Sequence, residues 1–145
     1  MIRNKKIFYF LSFTWGLPMT LIGCLVTIVL LTTGHKPQKW GYCYYFEIGK
    51  NWGGLELGVF FLVNQGASSN LKSHELGHSM QNCWFGLLMP FLVCIPSAIR
   101  YWYREYLVRS GKKTYSELPN YDSIWFEGQA STFGTKFINW YNSIK

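Results

Sequence analysis

The chain has 145 residues, enough for one domain but too few for two independent cores. Only 14% of its residues are charged and 19% are aromatic, whereas charged residues make up about 25% of an ordinary soluble protein, so the composition argues against that class. The net charge of +7 comes without a nucleic-acid recognition motif. The expected partner of the basic residues is therefore a lipid bilayer with anionic headgroups, and no nucleic acid.

Residues 1–6 form a basic N-terminus, and residues 7–33 then contain no charged side chain. About 20 apolar residues are enough to cross a bilayer. A cleaved signal peptide is the alternative, but it needs a small-residue cleavage site after the apolar run, and none follows Leu31. The sequence therefore predicts a retained N-terminal transmembrane helix over residues 7–33 and an integral membrane protein.

Two runs rich in β-forming residues follow, at 40–48 and 55–64, with a Gly/Asn-rich turn between them. This order predicts a β-hairpin, although the second run also fits a short helix.

The next segment carries the pattern His-Glu-x-x-His, at His74, Glu75 and His78. On an α-helix, residues four apart lie on one face, so both imidazoles can reach one Zn²⁺ ion at about 2.0–2.1 Å. Glu75 would then lie beside the metal, where a carboxylate can act as the general base that takes a proton from the attacking water. A helix is predicted from about residue 69 to about residue 83. The alternative is a polar helix whose histidines bond to neighbouring groups.

A catalytic zinc takes three protein ligands and keeps one position open. His35, the only other histidine, directly follows the predicted transmembrane helix and would reach the site only if the chain folded back. Glu127 lies among apolar and small residues near the start of a helix predicted at 122–142, where a buried carboxylate needs a partner. A carboxylate favoured by the helix dipole is the alternative. We predict Glu127 as the third ligand of one zinc ion per chain.

The apolar segment at residues 84–99 contains two prolines. If it crossed the membrane, Glu127 would lie opposite the histidines, so we expect a re-entrant or interfacial segment. The predicted fold is a mainly α membrane protein in which residues 34–145 form a zinc-binding catalytic domain at the membrane interface. Basic residues flank residues 7–33 on both sides, which leaves the orientation open. The free cysteines and the basic remainder of the chain favour the cytoplasmic face.

Two histidines on one helix and a glutamate on a later helix resemble the gluzincin family of zinc metallopeptidases. More narrowly, the chain resembles small bacterial integral-membrane proteins with the pattern His-Glu-x-Gly-His-x-x-Gln. The matching segments are residues 15–23, 74–81, 86–90, 95–98 and 125–130. This resemblance implies zinc ligation by His74, His78 and Glu127, Glu75 as general base, and a bacterial cell membrane. Gluzincins usually carry an acidic residue four positions after the ligand glutamate, whereas this chain has Ser131, which would polarise a histidine ligand less.

Other residues are candidates for supporting roles. Gln81 lies one turn after His78, where it can either support a ligand or simply be solvated. Tyr121 or Arg100 can stabilise an oxyanion, by residue type alone. In gluzincins, the strand before the active helix pairs with extended substrate, so residues 58–64 are expected in that role.

The leading hypothesis is a membrane-anchored zinc metallopeptidase that hydrolyses a peptide or membrane-protein substrate near the bilayer surface. A second hypothesis keeps the metal without proteolysis, as a metal-binding membrane protein or a zinc amide or lipid hydrolase. The third is a metal-free membrane interaction protein.

Overall fold

The computed structural model describes all residues from Met1 to Lys145 and contains five α-helices and one four-stranded sheet. The helices are α1 (Lys5–Phe13), α2 (Leu17–Thr32), α3 (Ser69–Phe85), α4 (Ile95–Arg109) and α5 (Trp125–Ser143). The strands are β1 (Gln38–Trp40), β2 (Cys43–Glu47), β3 (Gly54–Leu57) and β4 (Phe60–Val63). The fold is mixed α/β, so the prediction of a mainly α membrane protein is wrong.

The sheet has the strand order β1-β2-β4-β3. It consists of two antiparallel hairpins whose inner strands, β2 and β4, run parallel to each other. Each hairpin closes through a two-residue turn that starts with a glycine of positive φ, Gly41 at 60° and Gly58 at 74°. Glycine at this place suits a tight hairpin turn. The single hairpin predicted from residues 40–64 is therefore wrong, because each β-rich run contains its own reversal.

The predicted transmembrane helix at residues 7–33 is also wrong. Helices α1 and α2 meet at an angle of 89°, and no single helix of the chain is both long and apolar enough to cross a bilayer. The break has a local cause in Pro18, which has no amide hydrogen and would interrupt a continuous helix. It is tolerated here because it lies in the first turn of α2. A distant contact fixes the break as well, because the side-chain amide of Asn82 donates to the carbonyl oxygen of Gly16 at 3.1 Å.

A second bend lies between Ser69–Leu88 and Pro90–Arg109, whose axes meet at 116°. Gly86 ends α3 with a φ of 52°, and Pro90–Cys94 forms a π-helical turn that leads into α4. The segment at 84–99, expected to be re-entrant or interfacial, therefore consists of the end of α3, this bend and the first turn of α4.

The main core lies between the sheet and helices α1, α3 and α5. Phe8 of α1 is fully buried and lies 5.6 Å from the ring of Tyr42, which contacts Phe137 of α5 at 4.8 Å between ring centroids. A smaller cluster joins α2, β3 and α5 to the bend before α4 through Met19, Leu57, Met89, Val93 and Phe126. Helix α3 thus lies between the sheet and α5, which positions its histidines.

Candidate metal centre

Helices α3 and α5 cross at backbone contact. Gly77 lies against the carbonyl oxygen of Ala130, and Gly134 lies against the carbonyl oxygen of Ser73, with no room for a Cβ atom at either glycine. Small residues at both contact points let the helix axes approach closely. The first turn of α5 is thereby held against the histidine pattern of α3.

Three possible ligand atoms converge at this crossing. The Nε2 atoms of His74 and His78 lie 3.0 Å apart, and Oε2 of Glu127 lies 3.1 Å from each of them. Ligands about 2.05 Å from a tetrahedral zinc are about 3.3 Å from one another, so the observed triangle needs little adjustment to enclose an ion. His74, His78 and Glu127 therefore form a group that can bind a metal ion.

The outer nitrogen of each imidazole has a hydrogen-bond partner. Nδ1 of His78 lies 2.7 Å from Oε1 of Gln81, whose Nε2 donates to the backbone oxygen of Phe126 at 2.8 Å. Because this second bond fixes the orientation of the amide, Nδ1 of His78 must carry the hydrogen, and a neutral ring keeps its Nε2 lone pair for a metal. His74 has the equivalent contact at 2.8 Å from Nδ1 to Oγ of Ser131.

The Glu127 carboxylate and the imidazole of His74 each stabilise the charged form of the other. Burial acts to raise the pKa of Glu127, but hydrogen bonds to His74 and His78 outweigh it and hold that pKa well below its usual range. For His74, burial acts to lower the pKa and the contact with Glu127 raises it, with a net rise. The buried carboxylate is thus kept ionised, the form in which it can bind a cation.

Glu75 follows His74 on α3, and its side chain extends to the sheet. Its carboxyl group lies against Gly54 of β3, where a Cβ atom would not fit. Burial raises the pKa of Glu75 above its ordinary value, and the two neighbouring histidines oppose that rise. Period-two alternation along β3 turns Glu56 to the same side as Gly54, so a second carboxyl group lies near Glu75.

A cavity of about 670 Å³ opens at the centre and is lined by His74, Glu75, His78 and Glu127 together with β3 and α4. Strand β3 is an edge strand, whereas β4 is internal. The strand expected to pair with substrate at residues 58–64 is therefore the wrong one, because β4 is already paired on both sides.

The structure also locates the two candidate oxyanion donors. The ring of Tyr121 lines the cavity edge-on to His74 at 6.4 Å between centroids, and its hydroxyl lies 3.4 Å from Oγ of Ser97. The guanidinium of Arg100 instead donates to the backbone oxygens of Asn120 and Tyr121. His35 contacts Thr33 outside the cluster. The predicted site residues that line the cavity are His74, Glu75, His78, Tyr121, Glu127 and Ser131. Gln81 is buried behind His78, and Arg100 does not line the cavity.

Two residues near the centre were not predicted as site residues. Ser97 of α4 donates to Oε1 of Glu127 at 2.5 Å, and no sequence pattern indicates this contact. Glu56 is 95% buried beside Glu75, and its Oε2 has no hydrogen-bond partner. The signal for Glu56 was present, since it is the only charged residue in the run 55–64.

The chain matches no protein-family model, no curated protein and no solved structure. Its function therefore has to be inferred from the geometry and chemistry of this centre.

Proposed function

We propose that this protein is a zinc-dependent hydrolase that cleaves peptide bonds at the surface of a lipid bilayer. One observation carries the proposal: Glu75 lines the same cavity as the three residues that can hold a metal ion. Two imidazole nitrogens and one carboxylate oxygen form a typical donor set of catalytic zinc sites. A bound zinc ion would supply a Lewis acid that activates water and polarises the carbonyl oxygen of the substrate.

Glu75 is the proposed general base. A general base works best when its pKa is close to the working pH, and burial shifts the pKa of Glu75 upward from its ordinary value. The contact with Gly54 limits where the carboxylate can move. In this role Glu75 takes a proton from the attacking water and delivers it to the amine that leaves.

Tyr121 is the proposed donor to the oxyanion of the transition state. Burial raises its pKa to about 12, so the phenol remains protonated and can donate a hydrogen bond at neutral pH. The guanidinium of Arg100 lies 5.6 Å from the centre of the Tyr121 ring and holds the backbone of the same loop. In this proposal Arg100 supports Tyr121 and does not contact the substrate.

The cavity favours a peptide over a phospholipid. Edge strand β3 borders it, and an extended peptide can add to such an edge through main-chain hydrogen bonds. Arg104 is the cation among the lining residues, and it donates to the backbone oxygen of Pro119 at 2.6 Å. Apart from this one guanidinium, the lining contains no lysine or arginine that could bind a phosphate group. The exposed apolar side chains of Leu55 and Ala98 suit an apolar peptide segment.

Contact with lipid is proposed from the surface of the helices. Large apolar side chains are exposed on α1, on α2 and around the start of α4, including Phe10 at 66%, Leu25 at 59% and Ile99 at 65%. An apolar surface of this extent marks an interaction site. The basic residues of the N-terminus, Arg3, Lys5 and Lys6, would favour anionic headgroups.

The test compares the wild type with Glu75→Gln in three measurements: zinc content, cleavage of quenched fluorescent peptides, and release of fatty acid from phospholipid vesicles. We expect about one zinc ion per chain in both proteins and peptide cleavage by the wild type alone. The exposed Glu117 provides a matched control, since Glu117→Gln should keep full activity. Wild-type cleavage of lipid but not of peptide would replace the proposed substrate class. Equal cleavage by Glu75→Gln would remove Glu75 from the mechanism.

A further inference from the structure

The two carboxylate oxygens of Glu127 have different environments. Oε2 faces the Nε2 atoms of His74 and His78 at 3.1 Å, and Oε1 accepts a hydrogen bond from Oγ of Ser97 at 2.5 Å. Glu127 has no solvent-exposed surface, so no bulk water competes for either oxygen. One oxygen of the buried carboxylate thus faces the two histidines, and the other is hydrogen-bonded to Ser97.

The direction of this hydrogen bond follows from the chemistry of the two groups. An ionised carboxylate can only accept, so the Ser97 hydroxyl must donate its single proton to Oε1. The lone pairs of Ser97 Oγ then remain available to the hydroxyl of Tyr121, which lies 3.4 Å away. Hydrogen bonds to an ionised acceptor are stronger than those between neutral groups. The bond from Ser97 to Glu127 is therefore stronger than the contact between Tyr121 and Ser97.

Ser97 is held in place by the packing of its own segment. Met89 and Val93, which precede it at intervals of four residues, are 0% and 1% exposed and pack in one cluster with Phe126. Phe126 is the neighbour of Glu127 in sequence, so this cluster holds the start of α4 against the start of α5. Ser97 lies four residues after Val93 on the same face of the segment, so its hydroxyl is directed to Glu127.

We propose that Ser97 is a positioning residue of the metal centre, which keeps Oε1 of Glu127 engaged so that only Oε2 is offered to the metal ion. A carboxylate released from such a bond can bind a metal through both oxygens and would then take the position that water and substrate require. The inference rests on the metal centre of the proposed function and assigns to α4 a part in its chemistry. Partners that orient ligands in this way typically change metal affinity or activity about 10–100-fold when removed.

The test uses Co²⁺ as the probe, because its visible absorption weakens as the coordination number rises from four to five. Ser97→Ala should still bind about one Co²⁺ per chain, with weaker visible absorption and a kcat about 10–100-fold lower at similar KM. Ser97→Thr keeps the hydroxyl and should restore both the spectrum and kcat. Thr132→Ala removes an exposed hydroxyl of α5 that bonds only to Gly128 and should leave both unchanged.

An unchanged Co²⁺ spectrum in Ser97→Ala would overturn the inference. Loss of Co²⁺ binding in both the Ala and the Thr variants would overturn it as well, because the hydroxyl could not then be the deciding group. If the wild type binds no Co²⁺, the proposed metal centre itself is contradicted. If the spectrum changes as expected but no protein cleaves peptide, the role of Ser97 stands and the proposed hydrolase activity fails.

Discussion

Gly77 of α3 touches the carbonyl oxygen of Ala130 of α5, and this contact sets the distance between the two helices that form the metal centre. A methyl group at Gly77 would push α5 outward and move Glu127 away from the histidines. Gly77 has a helical backbone, so a substitution there tests spacing rather than backbone conformation.

Gly77→Ala should therefore weaken metal binding and lower the free energy of unfolding by about 1–3 kcal/mol, the usual effect of overpacking a tight contact. Isothermal titration with Zn²⁺ and urea unfolding measure the two effects. Thr135→Ala, at an exposed position on α5, is the control and should change neither. Wild-type zinc affinity in Gly77→Ala would mean that the crossing distance does not determine the site.

Ser131→Ala should lower zinc affinity about 10–100-fold without unfolding the protein, because Nδ1 of His74 loses its hydrogen-bond partner. Ser131→Asp should bind zinc at least as tightly as the wild type, since a carboxylate is a stronger acceptor for Nδ1–H. Competition with a chromophoric chelator gives the affinities. The same affinity in Ser131→Ala as in the wild type would show that the hydroxyl does not support His74.

Glu56 should make the protein less stable as the pH rises. Burial raises the pKa of Glu56 from its ordinary value of 4.5 to about 8, so the folded protein binds a proton that the unfolded chain has released between these values. The contribution of Glu56 to stability is therefore present below about pH 4.5 and is lost as the pH approaches about 8. Glu56→Gln, which keeps the size and the acceptor for Gly58, should remove this slope.

Urea unfolding of the wild type and Glu56→Gln at pH 5, 6, 7 and 8, with a chelator present, tests this. Glu75 and His74 are present in both proteins, so the difference between the two curves reports Glu56 together with its charge interaction with Glu75. Curves that stay parallel across this range would show that Glu56 is ionised in the folded protein at neutral pH.

Gly86→Ala should lower the free energy of unfolding through two separable effects. A φ of 52° with a ψ of −119° is strained for a residue with a side chain, and the indole of Trp15 fills the space where a Cβ would lie. Strain of this kind amounts to about 1–3 kcal/mol. In a Trp15→Ala background the steric part disappears and the strain remains, so Gly86→Ala should destabilise that protein less. Equal losses in both backgrounds would contradict the contact between Trp15 and Gly86.

The metal-binding group could be predicted from the sequence because the signals for it lie in short stretches of neighbouring residues. The four-residue spacing of His74 and His78 follows from helix geometry, and Glu127 is conspicuous among aromatic neighbours. Ser97 could not be found in this way. Its contact depends on the bend at Gly86 and on the packing of Val93 against Phe126, neither of which has a fixed spacing in the sequence.

The sheet and the N-terminal helices were predicted less well for a related reason. The parallel pairing of β2 with β4 joins residues from two separate hairpins, and no local signal selects that partner. Residues 7–33 are apolar enough for a membrane span, but the side chain of Asn82 holds the break at Gly16 from 66 residues away. Composition describes how apolar a segment is and carries no information about such a distant contact.

The burial of Phe8 bears on how this protein can be prepared for experiments. Phe8 lies in the main core with Tyr42 and Phe137, and the hydroxyl of Tyr42 donates to the backbone oxygen of Arg3. Trimming an apolar leader is a common way to obtain a more tractable sample. Here a shortened chain beginning at Gly34 would lack one wall of the core and the support of Trp15 for the bend after α3. Purification, crystallisation and assays should therefore keep the first 33 residues and supply detergent or lipid for their exposed apolar side chains.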